Sequence, residues 1–64
     1  MKVIINNKEQ QLEDGTTVLE LLKIRNMRRA AVWVNGIQLL SAEYETYSLR
    51  EGDEIRLLRI MAGG

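Results

Sequence analysis

A single segment of this chain carries a full helix signature, and that limits the fold more than any other feature. Thr17 stands where an N-cap would, Glu20 follows three residues later, and an apolar stretch comes next, the reciprocal pattern of a capping box. The spacing predicts a helix from about Val18 to Arg25. Val18, Leu21 and Leu22 share one face with Ile24 flanking, while Glu20 and Lys23 turn to water. Asn26 and the basic Arg25, Arg28 and Arg29 suit the C-terminal end, where cations meet the negative pole of the helix dipole. One helix covers one face of a sheet, so the opposite face is left to water or to a partner.

The rest of the chain reads as short strands. Lys2–Asn6 is a β-branched run, Asn6-Asn7 a turn pair, and Glu9–Glu13 its antiparallel return, broken by Asp14-Gly15. Ala30–Val34 is a strand leading into Asn35-Gly36, a strong hairpin signal, with Ile37–Leu40 as the partner. Ser41 to Tyr47 predicts a short helical turn, Glu51-Gly52-Asp53 a tight turn, and Glu54–Ile60 the last strand. The first and last strands are expected side by side and parallel at the centre, with the helix inside the crossover. The fold class is therefore α+β: a mixed sheet of four to five strands with one main helix packed on one face. Residues 1–60 are expected to form the domain and residues 61–64 a flexible tail.

Size and composition exclude several functions. At 64 residues the chain is one small domain, and folding buries only about 60% of the extended chain's surface. Nine basic and nine acidic residues cancel, which argues against nucleic-acid or membrane binding driven by long-range attraction. There is no Cys and no His. A thiol nucleophile, a disulfide framework, soft metal ligands and the best proton-transfer side chain near neutral pH are thus all missing. No paired-carboxylate or calcium-loop pattern points to a metal. The chain reads as a substrate, carrier or binder rather than an enzyme. The Met1–Asn6 start is too short for a signal or a membrane span, which makes a cytoplasmic location the default expectation.

The last four residues are Met61-Ala62-Gly63-Gly64. A terminal glycine pair arises by chance in roughly one chain in two hundred. Lacking Cβ atoms, it can thread a narrow channel and leave its carbonyl carbon open to attack. Ala62 keeps the approach narrow, and Met61 through Gly64 can extend roughly 13 Å.

This element order, with Val34-Asn35-Gly36, Glu51-Gly52-Asp53-Glu54 and Gly63-Gly64, resembles the ubiquitin-like β-grasp sulfur carriers, and within them the ThiS family. The related small subunits of molybdopterin synthase usually run longer and often carry prolines before the tail, whereas this chain has no Pro. The resemblance implies that Gly64 is the covalent attachment point, as adenylate and then thiocarboxylate. It implies no catalytic residue of the chain's own and no bound cofactor, ATP being consumed by the partner enzyme. The implied partners are a ubiquitin-activating-type adenylyltransferase (ThiF-like), a persulfide donor and a thiazole synthase (ThiG-like). A carrier without Cys cannot hold sulfur as its own persulfide, which leaves the terminal carboxyl. Similar carriers serve molybdopterin and other thiolation pathways, and the same tail also suits a ubiquitin-like modifier conjugated through Gly64. A passive β-grasp binding module would not need the tail at all.

Docking needs a surface. If Val32, Val34, Ile55 and Leu57 face the helix, then Trp33, Leu58 and Ile60 point to the open face as a partner-binding patch. Trp33 packed into the core fits the sequence equally well. Arg56 and Arg59 could bind acidic groups on an adenylating enzyme or simply keep the strand soluble. Arg25, Arg28 and Arg29 read as a solvated helix-end cluster rather than a nucleic-acid contact. Tyr44 and Tyr47 read as caps on the edge of a thin core rather than base-stacking residues. Glu43, Glu45, Glu51 and Glu54 read as solvated charge.

Overall fold

The computed structural model describes residues 1–60; Met61, Ala62, Gly63 and Gly64 lie outside the described residues. Strand β1 (Lys2–Ile5) pairs antiparallel with β2 (Lys8–Gln11) through the Asn6-Asn7 turn. Both asparagines take positive φ, 49° and 69°, the left-handed pair that a two-residue hairpin of matching twist requires. Pairing continues past β2, because the Leu12 N–H donates to the Met1 carbonyl at 2.8 Å. Asn35 and Gly36 (φ 51° and 83°) make the same kind of turn between β3 (Ala30–Val34) and β4 (Ile37–Gln38).

Helix α1 (Val18–Ile24) begins with the capping box expected of Thr17 and Glu20. The Glu20 N–H donates to Thr17 Oγ1 at 3.2 Å, and the Thr17 N–H donates to Glu20 Oε1 at 3.0 Å. The Thr17 N–H bond foremost, and a second one donated by the Thr17 hydroxyl to the same Oε1 at 3.1 Å, hold the Glu20 carboxyl below its ordinary range, with Lys23 adding to the effect. At the other end Asn26 adopts φ 56°. The Asn26 and Met27 N–H groups then donate to the carbonyls of Lys23 and Leu22, closing a Schellman motif in which Asn replaces the usual Gly.

The sheet has five strands in the order β2-β1-β5-β3-β4, with β5 (Glu54–Arg59) at the centre. It runs parallel to β1, as expected, and antiparallel to β3. Val3 and Ile5 of β1, Val32 and Val34 of β3, and Ile55 and Leu57 of β5 turn to the side covered by Val18, Leu21 and Leu22. Leu12, Leu39 and Leu49 close the perimeter, and Tyr44 and Tyr47 pack against it. The Tyr44 hydroxyl donates to the Ala30 carbonyl at 2.9 Å, so each ring keeps an apolar body on the core and Tyr44 also satisfies a backbone group.

Three local expectations need correction. β4 is only Ile37–Gln38, not Ile37–Leu40. Leu39 still bonds β3 but dives into the core, and Leu40 already leads into a 3-10 turn at Ser41–Glu43. Ile24 does not flank the core, being 62% exposed at the helix end. The last strand stops at Arg59, one residue before Ile60.

Candidate functional site: the open face and the root of the tail

Strand alternation places residues of opposite use on opposite sides of β5. Ile55 and Leu57 are buried under the helix, so Arg56 and Leu58 point to the uncovered face, while Ile60 lies past the end of the strand and lines a separate depression with Arg59. On neighbouring β3, Trp33 sits directly opposite Arg56 in the register and shares that face. Trp33 is half-buried and outside the core cluster, so of its two possible positions the fold selects the open side. Together with Ile4 and Asn6 of the first hairpin, Trp33, Arg56 and Leu58 line a shallow depression of about 810 Å³ across three strands. Leu58 is 59% and Ile60 52% exposed, which leaves apolar surface bare beside the end of the sheet.

Arg59 does not join Arg56. Its parity is that of Ile55 and Leu57, and it lies with Asn26, Arg28 and Arg29 around a second depression of about 730 Å³ next to Ile60. Two arginines that look like a pair in sequence thus serve different faces. The four tail residues Met61, Ala62, Gly63 and Gly64 continue from Ile60, outside the described residues. The chain reaches them from the central strand, and the Ile60 N–H donates to the Arg29 carbonyl at 3.1 Å. The root of the tail is therefore tied to the loop after α1.

Two side chains that sequence reasoning passed over hold this frame. Asn6 inserts its amide into the ladder beyond the end of β1: its Oδ1 accepts from the Leu57 N–H at 2.8 Å, and its Nδ2 donates to the Leu57 carbonyl at 3.2 Å. A side-chain amide thereby does the work of a backbone one next to the open-face residues. Asn35 forms a second clip, accepting from the Glu54 N–H at 3.0 Å and donating to Asp53 Oδ1 at 3.1 Å. The other Asp53 oxygen accepts from the Arg50 N–H at 2.8 Å, so this buried carboxylate locks the turn into β5. The signal available in sequence was only that both asparagines occupy turn positions.

Glu51 and Glu43, read as solvated charge, also accept backbone N–H groups, from Lys2 and Leu40 respectively. Among the described residues, no group of three or more His, Cys, Asp or Glu could hold a metal ion, and no helix is long and apolar enough to cross a membrane.

A five-stranded mixed sheet holding one helix on one face, with the central strand running out toward a C-terminal glycine pair, defines a ubiquitin-like β-grasp protein. The ThiS family model matches residues 3–64, and the chain belongs to that family. It is 30% identical, over the full length of both chains, to the sulfur carrier protein ThiS of Escherichia coli. It superposes on the crystal structure of the thiamine biosynthesis protein ThiS from Geobacter metallireducens with a TM-score of 0.83 at 25% identity, covering all of both chains. The solution structure of a thiamine biosynthesis protein from Geobacter metallireducens gives 0.81 at 25% identity, covering all of this chain and 88% of the other.

Proposed function

We propose that this chain is a sulfur carrier of thiamin biosynthesis that works as the substrate of an adenylating enzyme and not as a catalyst. The observation that supports it most is that the family match runs through residue 64 and so includes Gly63-Gly64. In this reading residues 1–60 are the docking body and residues 61–64 the reactive tail. A Gly64 carboxylate oxygen attacks the α-phosphate of ATP on a ThiF-like partner, and pyrophosphate leaves. The terminal sulfur of a persulfide then attacks the acyl carbon and expels AMP, forming an acyl disulfide. A thiolate cleaves that S–S bond and leaves the thiocarboxylate, which a ThiG-like thiazole synthase consumes. The chain has no thiol with which to intercept these intermediates. Trp33, Arg56 and Leu58 on the open face, with Ile60 just past the end of the strand, are the partner-binding surface, and the setting is the cytoplasm.

The test incubates the untagged chain with ATP, a ThiF-like enzyme and a persulfide source, then traps products with a thiol-reactive alkylator. Alkylation matters because replacing oxygen by sulfur adds nearly the same mass as oxidising a methionine. An adduct mapped to Gly64 is expected. No adduct, with an intact terminus and a control carrier that reacts, would overturn the assignment. Conjugates to lysines of other proteins, lost on deleting Gly64, would move it to a protein modifier.

A further inference from the structure

Arg28 and Arg29 lie beyond the end of α1 and Arg59 at the end of β5, yet the β3–β5 register brings them to one place: Ala30 sits opposite Arg59. With Asn26 and Ile60 they surround the depression at the root of the tail, and among the described residues no acidic one lines it. Among the described residues none of the three arginines has an ion-pair partner, although the chain as a whole is neutral. The helix dipole accounts for Lys23 and Arg25 in and just after the last turn. It does not account for Arg28 and Arg29 beyond the Schellman motif, nor for a strand arginine, because the dipole's influence fades within that turn. Like charges gathered on a neutral domain repel one another, and an opposite charge brought from outside relieves that cost.

We propose that Arg28, Arg29 and Arg59 form a docking patch for an acidic protein surface at the mouth of the partner channel that receives Gly63-Gly64. This rests on the carrier reading above. Tail length selects the occupant. Four residues span at most about 13–14 Å, so a patch at the root meets protein around the channel while the nucleotide meets Gly64 a tail's length away. Guanidinium groups suit the role because their planar forks engage carboxylates in bidentate pairs. The patch steers encounter and sets register, so it acts on the association step and not on acyl transfer.

The experiment measures the initial rate of pyrophosphate release against carrier concentration, using the ThiF-like enzyme with the unaltered chain, R59Q, R28Q/R29Q/R59Q and, as a control of equal charge change to R59Q, K8Q on the exposed far hairpin. Thermal unfolding by circular dichroism checks that every variant is folded. The triple variant is expected to raise KM about tenfold or more with kcat held, and to lose most of the salt dependence of KM seen in the unaltered chain. R59Q alone raises KM severalfold, K8Q leaves it alone, and R59K restores part of the loss. An unchanged KM in a folded triple variant would overturn the proposal. So would a fall in kcat at constant KM, which would place the arginines at the nucleotide. Binding of a single-stranded oligonucleotide that the triple variant loses, with KM unmoved, would reassign the patch to nucleic acid. No turnover by the unaltered chain, with a control carrier active, would instead remove the carrier reading and the docking patch with it.

Discussion

Replacing Asn35 by Asp probes the clip that joins the second hairpin to the central strand. The change is nearly isosteric, yet it turns the amide that donates to Asp53 Oδ1 at 3.1 Å into a second carboxylate. Two unit charges at that distance repel by about 5 kcal/mol at an effective dielectric constant near 20. Asn35 is exposed and its new carboxylate can swing toward water, so screening and rotation should cut the cost to about 2–3 kcal/mol including the lost hydrogen bond. A 64-residue domain has roughly 3–10 kcal/mol of total stability, so the loss is a large share of it. Urea unfolding at pH 7 gives the value directly. Combining N35D with D53N should recover at least half of the loss. The carboxylate introduced at position 35 can then accept from both the Glu54 N–H and the amide introduced at position 53, while the carbonyl oxygen of that new amide keeps the Arg50 bond. A loss below about 0.5 kcal/mol for N35D at pH 7, or no recovery in the double variant, would refute the reasoning.

Asn6→Gly keeps the left-handed turn but removes both amide hydrogen bonds to Leu57, and should cost about 1–3 kcal/mol in urea unfolding. Asn7→Gly, which relieves positive φ and removes no side-chain bond among the described residues, should be neutral or slightly stabilising by the same assay. Gly52 has φ 83° and open space where a Cβ would stand, so Gly52→Ala should cost about 1–2 kcal/mol through backbone strain alone, seen as a lower Tm. The Glu20 carboxyl is held below its ordinary range in the folded chain. Its contribution is therefore present above the unfolded value and lost as pH falls through the folded one, so a Glu20→Gln comparison should show the two chains converging in acid.

Where the information was local, sequence sufficed. The capping box needs only Thr17 and Glu20 three residues apart, and the second hairpin needs only Asn-Gly between alternating runs. Alternation in residues 30–34 and 54–58 assigned the buried face, because period two is a property of the extended backbone itself. One helix on one face and a parallel pairing of the first and last strands followed from element order. The short β4 was missed because Leu39 and Leu40 look alike in sequence, and only the packed fold buries one and leaves the other 71% exposed where the chain enters the 3-10 turn.

Alone, the amino-acid sequence determined the helix, the approximate places of the strands and most of the side chains that seek the core. Those follow from propensities and spacings of a few residues. Tertiary structure decided which distant groups meet: the Asn6 amide with Leu57, 51 residues away, Asn35 with Asp53, Trp33 with Arg56, and Arg59 with Arg28 and Arg29 instead of with its neighbour Arg56. Strand order and register set these pairings, and both are fixed by the shared burial of many residues at once. No local pattern encodes that sum, so the frame of the site became visible only in the fold.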